Sequence, residues 1–142
     1  MKVRELMSNN VSTAEVSTSV EDVAFIMKDK NIGSVPVCDN GKVIGIVTDR
    51  DIVTRQIAMN KDIASAKVKE VMSNNVVTTT PDTDIHDAAK VMCDGQIRRL
   101  PVVENGKLVG ILALGDIAVT NVLADNAGET LSGISESNKL RY

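Results

Sequence analysis

Apolar side chains recur along this chain with two spacings. Val20, Val23, Ala24 and Met27 stand at i, i+3, i+4 and i+7, the period of one helix face. Thr18-Ser-Val-Glu21 has capping-box spacing, so the pattern predicts an amphipathic helix opening at Thr18. Ile85, Ala88, Ala89 and Met92 repeat the stripe behind Pro81 and Asp82-Thr83, predicting a second helix with acids at its positive end. Between these stretches, Ser34-Val-Pro-Val-Cys38 and Lys42-Val-Ile-Gly-Ile-Val47 flank Asp39-Asn-Gly41, an Asn-Gly hairpin signal. Leu100-Pro-Val-Val103, Glu104-Asn-Gly106 and Lys107 to Leu112 give the same hairpin again. A further helix is expected from Thr48 to about Ala58, with Ile52, Val53, Gln56 and Ile57 on one side, and its counterpart from about Gly115 to Ala124. Asn10 to Thr13 and Asn75 to Thr79 read as short extended pieces, too polar for central strands.

The elements occur twice because the sequence does. Shifted by 65 residues, Lys2-Val-Arg-Glu-Leu-Met-Ser-Asn-Asn-Val11 falls on Lys67-Val-Lys-Glu-Val-Met-Ser-Asn-Asn-Val76, and residues 2–57 match residues 67–122 at 24 of 56 positions. Ordinary residue frequencies would give about three or four. Two copies, each needing a cover for its apolar face, imply a closed pseudo-symmetric pair and not a solenoid. The division by repeat is 1–65, 66–124 and a terminal segment 125–142, small and polar with scattered Leu131 and Ile134. That segment reads either as a short amphipathic stretch with a frayed end or as a disordered tail.

Composition narrows the function. The 142 residues carry a formal net charge of −3 and are 43% apolar, which supports a soluble globular protein. The longest apolar stretch, Leu108 to Leu114, is far short of the roughly 18 residues a membrane span requires. Charges at Lys2, Arg4 and Glu5 stand where a signal peptide needs its apolar core, and Cys38 and Cys93 are two distant cysteines; the expectation is a cytoplasmic, reduced protein. Phe25 and Tyr142 are the only aromatics, so base-stacking platforms are excluded and nucleic acid is not an expected partner. His86, the sole histidine, lies among Asp82, Asp84 and Asp87, but acids in a first helical turn serve the helix dipole and no second His or nearby Cys completes a metal shell. Cys38 and Cys93 read as buried thiols. Neither catalysis nor a metal is expected.

The β-α-β-β-α repeat, the Val-Pro-Val and Leu-Pro-Val strands, the Asn-Gly hairpins and Gly45-Ile-Val-Thr-Asp-Arg-Asp51 together resemble a tandem pair of CBS (cystathionine-β-synthase) domains over residues 2–124. The resemblance implies an α/β (α+β) module whose two sheets pack back to back, clefts that often hold an adenosine-containing ligand, and dimers formed through the helices. No cofactor is required; an adenine nucleotide, S-adenosylmethionine or an NAD-type molecule is the ligand it implies. The regulated partner protein is unidentified.

Thr48-x-x-Asp51 has the spacing of a capping box with a short acid. A hydroxyl beside free N–H groups suits a phosphate, and a carboxylate one turn on suits a vicinal diol. The resemblance assigns those two roles to Thr48 and Asp51, with Arg50 between them; the alternative is a plain helix cap. The second copy keeps Asp116 but has Ala113 in place of the hydroxyl, so the two sites are expected to differ. Arg98 and Arg99, at the positions of Gly33 and Ser34, offer planar cations suited to phosphate; the alternative is a pair of solvated arginines. Walls for the base are expected from Val11, Thr13, Ala14, Ile32, Val35 and Pro36, and from Val76, Thr78, Thr80, Ile97, Leu100 and Pro101, although core packing alone accounts for such residues. A rival reading is a ligand-free docking or dimerisation module, in which Met27, Met92 and Met59 serve an interface.

Overall fold

In the computed structural model, which describes residues 1–120 and 124–134, both Asn-Gly pairs turn as the sequence requires. Asn40 and Gly41 have φ of 52° and 81°, and Asn105 and Gly106 have 52° and 77°. Two consecutive left-handed residues make the tight turn whose twist matches the flanking strands. The first turn joins β2 (Ser34–Asp39) to β3 (Lys42–Thr48), and the second joins β4 (Arg99–Glu104) to β5 (Lys107–Ala113). Each hairpin carries a bulge at the same place, between Val37 and Cys38 and between Val102 and Val103. β1 (Ala14–Glu15) runs parallel beside β2; its counterpart shrinks to a single parallel bridge, Thr79 with Val102. Strand pairing therefore starts just after the first extended piece read from the sequence, at Ala14, and at the last residue of the second, Thr79.

Helices α1 (Val20–Lys30) and α3 (Ile85–Gly95) bury the stripes their spacing predicts. Val20, Val23 and Met27 enter one core, and Ile85, Ala88, Ala89 and Met92 another. The cap of α1 differs from the expected Thr18–Glu21 box. Thr18 Oγ1 accepts from Glu15 N, closing the turn after β1, and Ser19 takes the capping role by accepting from Asp22 N at 3.1 Å. Helix α2 (Asp49–Ile52) passes into one turn of π-helix, Val53–Ile57. That wider turn resets the phase: Ile52 and Gln56 are buried, while Val53 and Ile57 are 53% and 59% exposed, so the four do not share a face as the sequence suggests. In the second copy, α4 (Leu114–Ala118) is shorter than the stretch to Ala124, and Thr120 Oγ1 turns back to Asp116 O. α5 (Ala124–Ile134) follows and packs on α3. Gly133 lies against Cys93 where a side chain would collide, and Thr130 Oγ1 donates to Ala89 O. The segment after Asp125 is helical as far as Ile134; the frayed end expected beyond it lies outside the described residues.

The chain divides into two compact units, and they do not follow the repeat boundary. One is Ser12–Val76, the first-repeat unit; the other joins Met1–Val11 to the chain from Val77 onward, the second-repeat unit. Each unit takes its Lys-Val-x-Glu-x-Met-Ser segment from the opposite repeat. Ser8 and Ile111 exchange two backbone hydrogen bonds of 2.9 Å, and Ser73 and Ile46 exchange two of 2.9 and 3.0 Å. Val3 N donates to Thr83 O as Val68 N does to Thr18 O, and both valines are fully buried. In the second-repeat unit Arg4 adds a salt bridge to Asp82 at 2.7 Å. Gly45 and Gly110 make room: a Cβ there would stand 3.0 Å from Ser73 O and 2.9 Å from Ser8 O, with Met72 and Met7 pressing from the side.

Substituting Ala at Gly45 or Gly110 is therefore expected to cost about 1–3 kcal/mol as overpacking, read as a lower urea midpoint; unchanged midpoints at both positions would contradict the close approach. Asp84 gives a pH signature. As N-cap of α3 it accepts from His86 N at 2.9 Å, and that bond, then the N-terminal amino group, His86 and Lys2, hold its carboxyl below the ordinary 3.8. A lowered carboxylate contributes fully above 3.8 and is lost as pH falls through the folded value. Asp84→Ala should be less stable than the parent chain at pH 7, with the gap closing in acid; a gap independent of pH would refute the assignment.

Candidate functional site

The strongest candidate chemistry lies where β3 hands over to α2. Thr48 is extended, with φ −114° and ψ 162°, so its backbone leaves the strand while its side chain caps the helix. The cap is reciprocal: Thr48 Oγ1 accepts from Asp51 N at 3.1 Å, and Asp51 Oδ2 accepts from Thr48 N at 2.9 Å. Asp51 is thus held rigidly, its side chain 15% exposed, with Oδ1 facing Arg55 Nε at 3.8 Å. Arg55 is itself anchored by donating to Val71 O at 3.0 Å. Arg50 is exposed, and its N–H donates to Asp49.

The second copy reproduces half of this arrangement. Ala113 N donates to Asp116 Oδ2 at 2.9 Å, but Ala113 offers no hydroxyl in return. Arg98 and Arg99 are both exposed, and Leu114 N donates to Arg98 O at 2.9 Å, matching Asp49 N to Gly33 O at 3.0 Å. Each pair therefore sits beside its own capping acid within one unit: Gly33 and Asp49 with Thr48 and Asp51, Arg98 and Leu114 with Ala113 and Asp116.

The expected wall residues differ in burial. Val35 and Leu100 are fully buried core residues, Ala14 is buried, and so are Pro36 and Pro101. Thr13, Thr78 and Thr80 are exposed, and Thr80 Oγ1 is 2.8 Å from Thr83 Oγ1. Val11 and Val76 are half-buried; Val11 belongs to the second-repeat unit and Thr13 and Ala14 to the first, while Val76 belongs to the first and Thr78 and Thr80 to the second. Met27 and Met92 are core, leaving Met59 as the exposed methionine of the three.

Three residues were not assigned to the site from the sequence. Asp49 lies beside Gly33, Arg55 faces Asp51, and Ser34 buries a hydroxyl with no hydrogen-bond partner. Setting the repeats side by side would have found the first two, because Leu114 and Thr120 replace them. Burial pushes the Cys38 thiol above its usual value, with Glu15 adding to the effect. Among the described residues no group of three or more His, Cys, Asp or Glu side chains is placed to hold a metal ion, and no helix is long and apolar enough to cross a membrane.

Comparison with known proteins gives consistent matches. The family profile for the CBS domain matches residues 3–58 and again 68–120. CBS domain-containing protein YhcV of Bacillus subtilis is 40% identical over 96% of this chain and 96% of its own length. The crystal structure of Hypoxic Response Protein I with two coordinated zinc ions superposes with a TM-score of 0.79 and 30% identity, covering 84% of this chain and 98% of that one. A hexameric CBS-CP12 protein from bloom-forming cyanobacteria gives a TM-score of 0.74 and 29% identity, covering 88% of this chain and 73% of that one.

Replacing Ala113 with Thr should restore the missing half of the second cap and add about 1 kcal/mol of stability. Urea denaturation reads this directly, and a variant no more stable than the parent would mean that Asp116 N gains nothing from a hydroxyl.

Proposed function

Because the chain belongs to the CBS-domain family, carrying one copy at residues 3–58 and another at 68–120, we propose that it is a regulatory protein that binds an adenosyl ligand reversibly and transmits the occupancy as a change of shape. Candidate ligands are AMP, ADP, ATP, S-adenosylmethionine and NAD-type molecules, all of which share the adenosine half. The observation that supports this reading is the reciprocal cap. Thr48 and Asp51 hold each other in place, and Asp51 spends one carboxylate oxygen on Thr48 N while the other lies 3.8 Å from Arg55, outside hydrogen-bond reach. A carboxylate fixed in this way accepts from a sugar diol with little further loss of side-chain freedom. Asp116 provides the same acceptor in the second copy, without the hydroxyl. Action in the cytoplasm and pairing of two copies through their helices belong to the same reading.

A second reading, a docking module without ligand, draws on the exposed apolar side chains Phe25, Val53, Ile57 and Met59 and on the hexameric assembly named for the cyanobacterial relative. Melting curves separate the two. AMP, ADP, ATP, S-adenosylmethionine and NADH are titrated in turn; a true ligand at a hundredfold excess over its dissociation constant should stabilise the protein by about 2.7 kcal/mol. No shift with any of them favours docking. With adenosine as the probe, Asp51→Ala should weaken binding more than Asp116→Ala, and equal losses by calorimetry would contradict the difference traced to Ala113.

A further inference from the structure

We propose that Met7 and Met72 are a matched pair of oxidation sites, and that conversion of their thioethers to sulfoxides by a hydroperoxide loosens the segment that completes the sheet edge of each unit. The proposal is independent of the adenosyl reading and concerns other residues.

The two side chains hold the same place. Met7 precedes Ser8, which pairs with Ile111, and Met72 precedes Ser73, which pairs with Ile46. Each lies over the glycine next to that pair, where the strand has no side chain. A Cβ on Gly110 would stand 2.8 Å from Met7 Sδ and 2.9 Å from Ser8 O; a Cβ on Gly45 would collide with Met72 Sδ and stand 3.0 Å from Ser73 O. Sulfur and carbonyl thus converge on one point in each unit. An unbranched thioether suits such an irregular seat. Met7 also packs on the core of the second-repeat unit and Met72 on that of the first. Both are half-buried, which leaves each side chain partly open to a small oxidant.

The thioether sulfur attacks one oxygen of hydrogen peroxide. An S–O bond forms as the O–O bond breaks, the sulfur loses two electrons, and the departing hydroxide takes up a proton and leaves as water. The sulfoxide is polar where the thioether was apolar. The N–H groups of Ser8 and Ile111, and of Ser73 and Ile46, are already spent on each other's carbonyls. A new acceptor oxygen on the sulfur either stays without a donor or displaces one of those bonds, and either outcome is unfavourable. The cost falls on the segment that seats Val3 or Val68 in its core.

The other oxidisable side chains lack this coupling. Met1 and Met59 are exposed, so an oxygen added there meets water, whereas Met27 and Met92 are buried. Cys38 is buried, and burial pushes its thiol up, which suppresses the reactive thiolate. Cys93 is covered by Gly133.

The full chain is treated with hydrogen peroxide, mapped by peptide mass spectrometry and unfolded in urea. Oxygen uptake at Met1 and Met59 should leave the urea midpoint unchanged. Uptake at Met7 and Met72 should lower it, and hydrogen exchange at the amides of Ser8, Ile46, Ser73 and Ile111 should quicken. Treatment with methionine sulfoxide reductases for both epimers should restore the midpoint. Met7→Leu with Met72→Leu keeps an apolar side chain of similar volume and should abolish the fall, although the other methionines and both cysteines remain. Three results would overturn the proposal: Met7 and Met72 unoxidised when Met1 and Met59 are fully converted, oxidation of both with midpoint and exchange unchanged, or an equal fall in the double variant. The first two are read on the unaltered chain, whether or not the variant folds.

Discussion

The architecture depends on a close backbone approach that only a missing side chain permits. Ser8 pairs with Ile111 and Ser73 with Ile46 through two reciprocal hydrogen bonds each, directly beside Gly110 and Gly45, where a methyl group would meet the Ser8 and Ser73 carbonyls. These bonds satisfy polar groups on the outer edge of β3 and β5 and bring Val68 and Val3 into the cores. Unpaired edge groups and two missing core valines would be the alternative, and both are costly. Since each edge is completed by the segment that opens the opposite repeat, neither repeat contains all the parts of its own unit. Duplication is thus built into the fold, and the likeness of Lys2–Val11 to Lys67–Val76 follows from the matching seats they fill.

On this common frame the two copies diverge at a few side chains. Both keep the acid one turn into the helix and both keep the backbone link at its start. The hydroxyl cap, the charge beside the link and the cation four residues after the acid all differ: Thr48, Asp49 and Arg55 in one unit correspond to Ala113, Leu114 and Thr120 in the other. The second copy also gains a helix, α5, whose glycine allows contact with Cys93. Lys28 stands at the corresponding place in α1, and a long charged side chain there leaves no seat for such a packing. A conserved frame with substituted contact residues is how one scaffold comes to present two different surfaces.

Much of this was legible in the chain and some was not, for reasons particular to each element. The hairpins and the stripes of α1 and α3 are local: two left-handed residues in a row leave little choice but Asn-Gly, and a four-residue apolar stripe has one buried direction. The capping box at Thr48 was legible for the same reason, since its partners lie three residues apart. The cap of α1 was misread because Thr18 and Ser19 are both competent, and the decision came from Glu15 N, which needed an acceptor. Val53 and Ile57 were misplaced because a regular helical period cannot anticipate a single π turn. The passage of the chain from one unit to the other between Val11 and Ser12 was not legible either, since no local feature of Val11, Thr13 and Ala14 marks it.

The sequence alone therefore determined the repeat, the order of elements within it, and the pairing of Thr48 with Asp51 against Ala113 with Asp116, because each rests on residues within a few positions of one another. Tertiary structure decided which repeat supplies which edge segment, which of two hydroxyls caps α1, and that Asp49 shares its place with Gly33 as Leu114 does with Arg98. Such outcomes turn on hydrogen bonds and van der Waals contacts between residues far apart in the chain, and near-identical segments carry no local mark of the partner they will meet.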